Sequence, residues 1–222
     1  MNEQRWDEVD AYFERALGLS DPVLAATSAR CREAGLPPHD VAPNQGKLLQ
    51  LFVRMTGARR ILEIGTLGGY SAICMARALP DDGTLVSLEA DPHHAAVADA
   101  NIRHAGLQAR VRIVVGDAAG TLARLRETGE PAFDLVFIDA DKASNAVYLR
   151  GALALSRKGT VIIGDNIIRA GRIADVQAQG DADVRGVHEF FELMACTPGL
   201  EATALQTVGC KGWDGFSLAV VG

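Results

Sequence analysis

The chain has 222 residues, a net charge of −6, and 48% hydrophobic and 23% charged residues, proportions that suit one soluble globular domain with a substantial core. The acidic balance argues against a protein that grips nucleic acid by neutralising phosphates, and no apolar run approaches the ~20 residues of a membrane span. Cys31, Cys74, Cys196 and Cys210 are scattered and fit no CxxC or zinc spacing. The polar start Met1-Asn2-Glu3-Gln4-Arg5-Trp6-Asp7 shows no signal-peptide pattern, so a reducing cytoplasm is the expected setting.

The first 57 residues read as helical. Trp6, Val9, Tyr12, Phe13 and Ala16 recur at helical spacing, and the aromatic residues among them are expected in the core or at a dimer contact. Asp21-Pro22 opens a second helix, with Asp21 as N-cap and Pro22 at the first position. Gly35-Leu36-Pro37-Pro38 ends it, and Pro43 starts a third helix that runs to about Thr56. From Arg60 onward strands and helices alternate. Strands are predicted at 61–64, 84–88, 111–115, 135–138 and 160–163, and helices at 70–78, 93–104, 118–127 and 144–155. That rhythm implies a parallel sheet with helices on both faces. After a long loop over 168–184 and a helix over 184–196 come two strand-like runs, 202–208 and 216–221. The seven residues between them are too few for a parallel crossover, so the pair is expected to be antiparallel.

The strand ends carry the chemistry. Two apolar runs stop on polar groups, Phe137-Ile138-Asp139-Ala140-Asp141-Lys142 and Ile162-Ile163-Gly164-Asp165-Asn166. Ligands collect outside the carboxyl ends of such strands, and oxygens from two neighbouring ends suit a hard divalent cation such as Mg²⁺ or Ca²⁺. Lys142 stands next to this group, placed to act as a base. The first strand ends in Glu63-Ile64-Gly65-Thr66-Leu67-Gly68-Gly69-Tyr70-Ser71, a glycine turn that matches neither GxGxxG nor GxxxxGK[ST]. Glu89, ending the second strand, is placed to accept hydrogen bonds from ribose hydroxyls. Asp117, after the third, reads equally as an adenine contact or as a helix cap. Acids at three successive strand ends favour a nucleoside carrying positive charge over a phosphate-bearing one, and S-adenosylmethionine has that character. Asp141 is the better cap for the helix that follows it. Asp175, Asp181 and Asp183 read as a solvated acidic loop, and none of the five histidines is assigned to a metal.

In order and spacing, the stretch from Glu63 to Ser71, Glu89-Ala90-Asp91, Gly116-Asp117, the stretch from Asp134 to Lys142, and Asp165-Asn166 resemble the cation-dependent class I O-methyltransferases of the caffeoyl-CoA and catechol type, bacterial members included. The similarity runs from about Val41 to Trp213-Asp214-Gly215-Phe216. It implies an α/β, Rossmann-like class I methyltransferase fold. Its sheet would be seven-stranded and mostly parallel, with an antiparallel last strand and helices on both faces. It also implies a single domain in which 1–57 form an N-terminal helical cap region and 58–222 the core. With S-adenosylmethionine as cofactor, Glu63, Gly65 and Ser71 would surround its methionine part, Glu89 its ribose, and Asp117 with Ala118 its adenine. Val41 and the helix start at Pro43 would cover it, and Asp139 would border it. Asp139, Asp165 and Asn166 would hold the cation, Mg²⁺ foremost with Ca²⁺ or Mn²⁺ as alternatives. Lys142 would match the catalytic lysine, acting with Asp139.

The reaction implied is methyl transfer to a hydroxyl of a small phenolic, catechol-like or natural-product acceptor. A cation favours the oxyanion, and chelation by two adjacent oxygens favours vicinal diols. Asp141 stands where the mammalian catechol enzymes carry a bulky aromatic residue, which points away from simple catechol itself. Arg169, Arg172 and Trp213 are candidates to meet the acceptor. The expected partners are that acceptor and a second copy of the chain, with neither nucleic acid nor membrane. Two other readings stand beside this one: methylation of a hydroxyuridine in tRNA, and a cofactor-binding protein without catalysis. The joint presence of Asp139, Lys142, Asp165 and Asn166 argues against the last.

Overall fold

The strand runs align side by side into one seven-stranded sheet in the order β3-β2-β1-β4-β5-β7-β6. The computed structural model describes residues 3–222; Met1 and Asn2, which head the polar N-terminal segment, lie outside them. In chain order the elements are α1 (Glu3–Ala16), α2 (Pro22–Glu33), α3 (Pro43–Thr56), β1 (Arg60–Ile64), α4 (Tyr70–Ala76), β2 (Thr84–Glu89), α5 (Pro92–His104), β3 (Val111–Val115), α6 (Ala118–Glu127), β4 (Phe133–Ile138), α7 (Asn145–Ala154), β5 (Ser156–Asp165), α8 (Ala182–Cys196), β6 (Leu200–Gly209) and β7 (Gly212–Val221). Strands β1 to β5 pair in parallel, and β7 runs antiparallel to both β5 and β6. This is the mostly parallel, Rossmann-like sheet with a reversed last strand that the resemblance implies.

Alternation along the central strands explains the layering. Ile61, Leu85, Leu135, Phe137, Val161 and Ile163 face α3, α4 and α5 in one buried cluster. Their neighbours Leu62, Ile64, Val86, Val136, Ile138 and Ile162 face α6, α7 and α8 in another. A strand covered on both faces must be apolar at every position, which is why these runs are continuous rather than alternating. Each fully buried Leu, Ile or Phe contributes about 1.5–3 kcal/mol. Aspartates start several of the helices. Asp21 accepts from the backbone N–H of Val23 and Leu24 at 2.9 and 3.0 Å, and Asp91, Asp117 and Asp181 cap α5, α6 and α8 in the same way.

Three expectations change. The last two strands are longer than the sequence suggests, so a turn at Cys210-Lys211 joins them and Trp213, Asp214 and Gly215 lie within β7. The stretch read as one long loop holds two short 3₁₀ segments, Arg172–Ala174 and Val176–Gly180, and gives way to α8 at Ala182. On α1, Tyr12 and Phe13 are 60% and 45% exposed, outside the core. Among the described residues, no helix is long and apolar enough to cross a membrane.

Candidate active site

Because β1 and β4 are neighbours while the chain runs outward from them in opposite directions, a crevice opens at their carboxyl ends. Here the backbones nearly touch. Asp139 N donates to Ile64 O at 2.9 Å, and a Cβ on Gly65 (φ +91°) would stand 2.3 Å from Asp139 O, so only glycine fits. A cavity of ≈ 1080 Å³ spreads from this point, lined by the ends of β1, β2, β4 and β5, the start of α3 and the β6–β7 turn. Val41, Gly65, Ser71, Glu89, Asp117, Ala118, Asp139, Lys142, Asp165 and Asn166 all line it. The sequence-predicted set is thus brought together, with one exception.

The exception is Glu63. It is fully buried and lies behind the cavity wall rather than in it. Ser71 Oγ and Ser87 Oγ both donate to its carboxylate, each at 2.5 Å. Burial raises its pKa to about 7, against the pull of those hydroxyls. Glu63 therefore orients Ser71, which does reach the cavity. Glu89 is nearly buried at the β2 end. One carboxylate oxygen accepts from the N–H of Thr66 and Leu67 at 3.2 and 2.9 Å, and the other from Asp91 N at 3.0 Å. Asp117 caps α6, accepting from Gly120 N at 2.7 Å, and it also lines the cavity.

At the β4 and β5 ends the charges converge. Lys142 Nζ donates to Asp139 Oδ1 at 2.9 Å, and the lysine side chain is only 5% exposed. Asp165 is buried, and its carboxylate accepts from Gln45 Nε2 at 2.7 Å and from Asn166 N at 2.9 Å. Burial first, and the nearby Asp139 carboxylate second, raise the Asp165 pKa to about 7. Two neighbouring carboxylates, one of them buried, form a donor set that a divalent cation would relieve. Among the described residues, no three of His, Cys, Asp and Glu gather as a metal-holding cluster, so a cation here would draw its third oxygen from the Asn166 amide.

Several lining residues escaped the sequence reading. Gln45 grips Asp165 from 120 residues away, although its place just after Val41 and Pro43 put it beside the segment already expected over the cavity. Asp10 on α1 accepts from Asn44 Nδ2 at 3.0 Å and from Cys210 N at 2.8 Å, tying three distant segments at the cavity rim. Tyr148 donates its hydroxyl to Asp141, which also accepts from Ser144 N at 3.2 Å and so caps the 3₁₀ segment Lys142–Ser144. Arg169 and Arg172 are paired with Asp183 and Asp181 at 2.6 and 2.5 Å, so those two aspartates are partnered rather than merely solvated. Of the three candidates to meet an acceptor, Arg169 lines the cavity, whereas Arg172 and Trp213 do not.

Comparison with known proteins identifies the family. Residues 20–219 match the family model described as O-methyltransferase. A catechol O-methyltransferase of Niastella koreensis is 47% identical over 221 residues, covering 100% of each chain. The crystal structure of an O-methyltransferase from Bacillus cereus in complex with S-adenosylhomocysteine superposes with a TM-score of 0.97 at 48% identity, covering 100% of both chains. That of TomG from Streptomyces achromogenes, involved in tomaymycin synthesis and bound to S-adenosylmethionine, gives a TM-score of 0.95 at 44% identity, covering 100% of this chain and 99% of that one. The fold and site define a class I methyltransferase. This chain belongs to the S-adenosylmethionine-dependent O-methyltransferase family.

Proposed function

We propose that the protein methylates a hydroxyl of a small catechol-like phenol, with a divalent cation held where β4 and β5 end. The observation that carries this reading is Lys142, a lysine buried in the cavity wall and held by Asp139 beside Asp165-Asn166. When bound, S-adenosylmethionine supplies an electrophilic methyl group, and the cation supplies positive charge that favours a phenolate. Asp139 and Asp165, with the Asn166 amide oxygen, are the hard oxygen donors for that cation. Lys142 Nζ, in its amine form, receives the acceptor's hydroxyl proton, and Asp139 then holds the ammonium. Glu89 accepts hydrogen bonds from the cofactor's ribose, while Ser71, oriented by Glu63, and Gly65 border its methionine part. Val41 covers the cofactor, Asp117 and Ala118 flank its adenine, and the enclosing walls keep water from competing with the acceptor.

The small-molecule reading is supported over the tRNA one by the cavity wall, which carries Asp10, Asp40, Asp141, Asp183 and Asp214, a lining that repels a phosphate backbone. The names of the Niastella and Streptomyces relatives support a catechol-like or natural-product acceptor. We place the working form as a homodimer, because Val9, Tyr12 and Phe13 on α1, with Leu17 just past its end, expose an apolar face; elution as a monomer in gel filtration would remove that part. The reaction is tested by mass spectrometry with isotopically labelled S-adenosylmethionine, Mg²⁺ and a panel of catechols and monophenols. Label should enter vicinal diols ahead of monophenols, and Asp139→Ala should abolish it. No labelled product from any phenol would reject the assignment.

A further inference from the structure

The three proposed cation ligands are not equivalent. Asp139 and Asp165 present oxygen whichever way their carboxylates turn. The Asn166 amide has an oxygen at one end and, at the other, an N–H₂ group that repels a cation. A site that depends on this amide therefore needs something to decide which end faces the ion.

Asn166 Nδ2 donates to Asp214 Oδ2 at 2.8 Å. The other oxygen of Asp214 accepts from Gly215 N at 2.8 Å, which fixes the carboxylate on its own strand. An ionised carboxylate only accepts hydrogen bonds, so it can hold only the N–H₂ end of the amide. The oxygen end is then turned the opposite way. We propose that Asp214 is a positioning residue that selects the oxygen of Asn166 for the cation, an inference that rests on the cation reading above. Strand pairing delivers it: Asp165 is in register with Phe216 of β7, and Ile167 N donates to Gly215 O at 3.1 Å. Asn166 itself has a left-handed backbone (φ +52°), which holds its side chain toward β7 while Asp165 stays in the β5 wall. Asp165 is held in a comparable way by Gln45 and the Asn166 N–H. Partners that orient a metal ligand in this manner are typically worth about 10–100-fold in metal affinity.

The test is Mn²⁺ binding to the full chain, read by calorimetry, in a mutant cycle of Asp214→Ala and Asn166→Asp with Asp165→Ala as control. Mn²⁺ should bind the wild type and not Asp165→Ala. Asp214→Ala should weaken binding about 10–100-fold, with S-adenosylhomocysteine affinity kept. In the Asn166→Asp background the same change should not weaken binding, because a carboxylate has oxygen at both ends and needs no selection, and removing Asp214 relieves the repulsion between adjacent carboxylates. A role of Asp214 in folding alone would cost the same factor in both backgrounds. Asp214→Ser, whose hydroxyl still accepts from Gly215 N but can meet either amide end, should repeat the pattern of Asp214→Ala and serves if that variant does not fold. Wild-type Mn²⁺ binding that is absent, or that survives Asp165→Ala, overturns the cation reading and this inference with it. Asp165-dependent binding that ignores Asp214, or loses equally in both backgrounds, overturns the positioning role alone.

Discussion

Lys142 Nζ lies 2.9 Å from Asp139 Oδ1, three residues back along the chain, with the lysine side chain 5% exposed. An ordinary surface lysine keeps its ammonium in water; this one is folded into the cavity wall by the 3₁₀ segment Lys142–Ser144. A proton acceptor at that point should be worth about 10²–10⁴-fold in rate. Lys142→Ala should therefore lower kcat by that order while leaving KM for S-adenosylmethionine close to wild type. Steady-state kinetics with a catechol acceptor check this, and an unchanged kcat would strip Lys142 of its proposed role.

The placement of Lys142 depends on a glycine in another element. A Cβ on Gly186 of α8 would stand 2.1 Å from Lys142 O and 2.6 Å from Ala143 Cα, both backbone atoms that cannot rotate away. Gly186→Ala should thus displace the lysine's own turn, costing about 1–3 kcal/mol of stability together with a fall in kcat. Gly180→Ala is the matched control, since a Cβ there meets nothing within 4 Å. Thermal melting and activity measured on both should separate them; equal behaviour would mean that α8 does not constrain Lys142.

Glu63 supplies a pH signature. Burial raises its pKa from 4.5 to about 7 in the folded chain, so the folded state holds a proton that the unfolded state releases. Its contribution to stability is complete below about pH 4.5, declines as pH rises toward 7, and is gone above that, at a slope of up to about 1.4 kcal/mol per pH unit. Glu63→Gln keeps the shape and removes the titration, with the Ser71 and Ser87 hydroxyls free to reverse as acceptors. Melting temperatures at pH 5 and pH 8 should fall further apart for the wild type than for Glu63→Gln. Parallel shifts in the two proteins would show that Glu63 does not titrate in this range.

Much of this was legible from the chain because it is local. An apolar run covered on both faces and ending on an acid announces a strand end, which is how Asp139, Asp165-Asn166 and Glu89 reach one cavity. The reading stopped where a contact joins distant segments. Nothing near Asp10, Gln45 or Asp214 shows that their partners lie 34, 120 and 48 residues away. The burial of Lys142 depends on packing against α8; taken alone, a lysine three residues past Asp139 reads as solvated, and only its place beside the acidic strand ends marks it as a base. The β6–β7 connection misled for a different reason. Gly209, Gly212, Asp214 and Gly215 are turn-forming types, yet Gly215 pairs with Gln206 inside the sheet, where a Cβ would stand 2.3 Å from Leu205 O. There glycine serves close backbone approach within a strand rather than a turn.

The central claim is that oxygens from Asp139, Asp165 and Asn166 hold a cation that activates the acceptor beside Lys142. Methyl transfer to a catechol, followed with labelled S-adenosylmethionine on protein stripped with EDTA and then titrated with Mg²⁺, tests it most directly. The rate should fall to background in the stripped protein, return with added Mg²⁺, and fail to return in Asp165→Ala. Full activity in protein shown by elemental analysis to be metal-free would contradict the account.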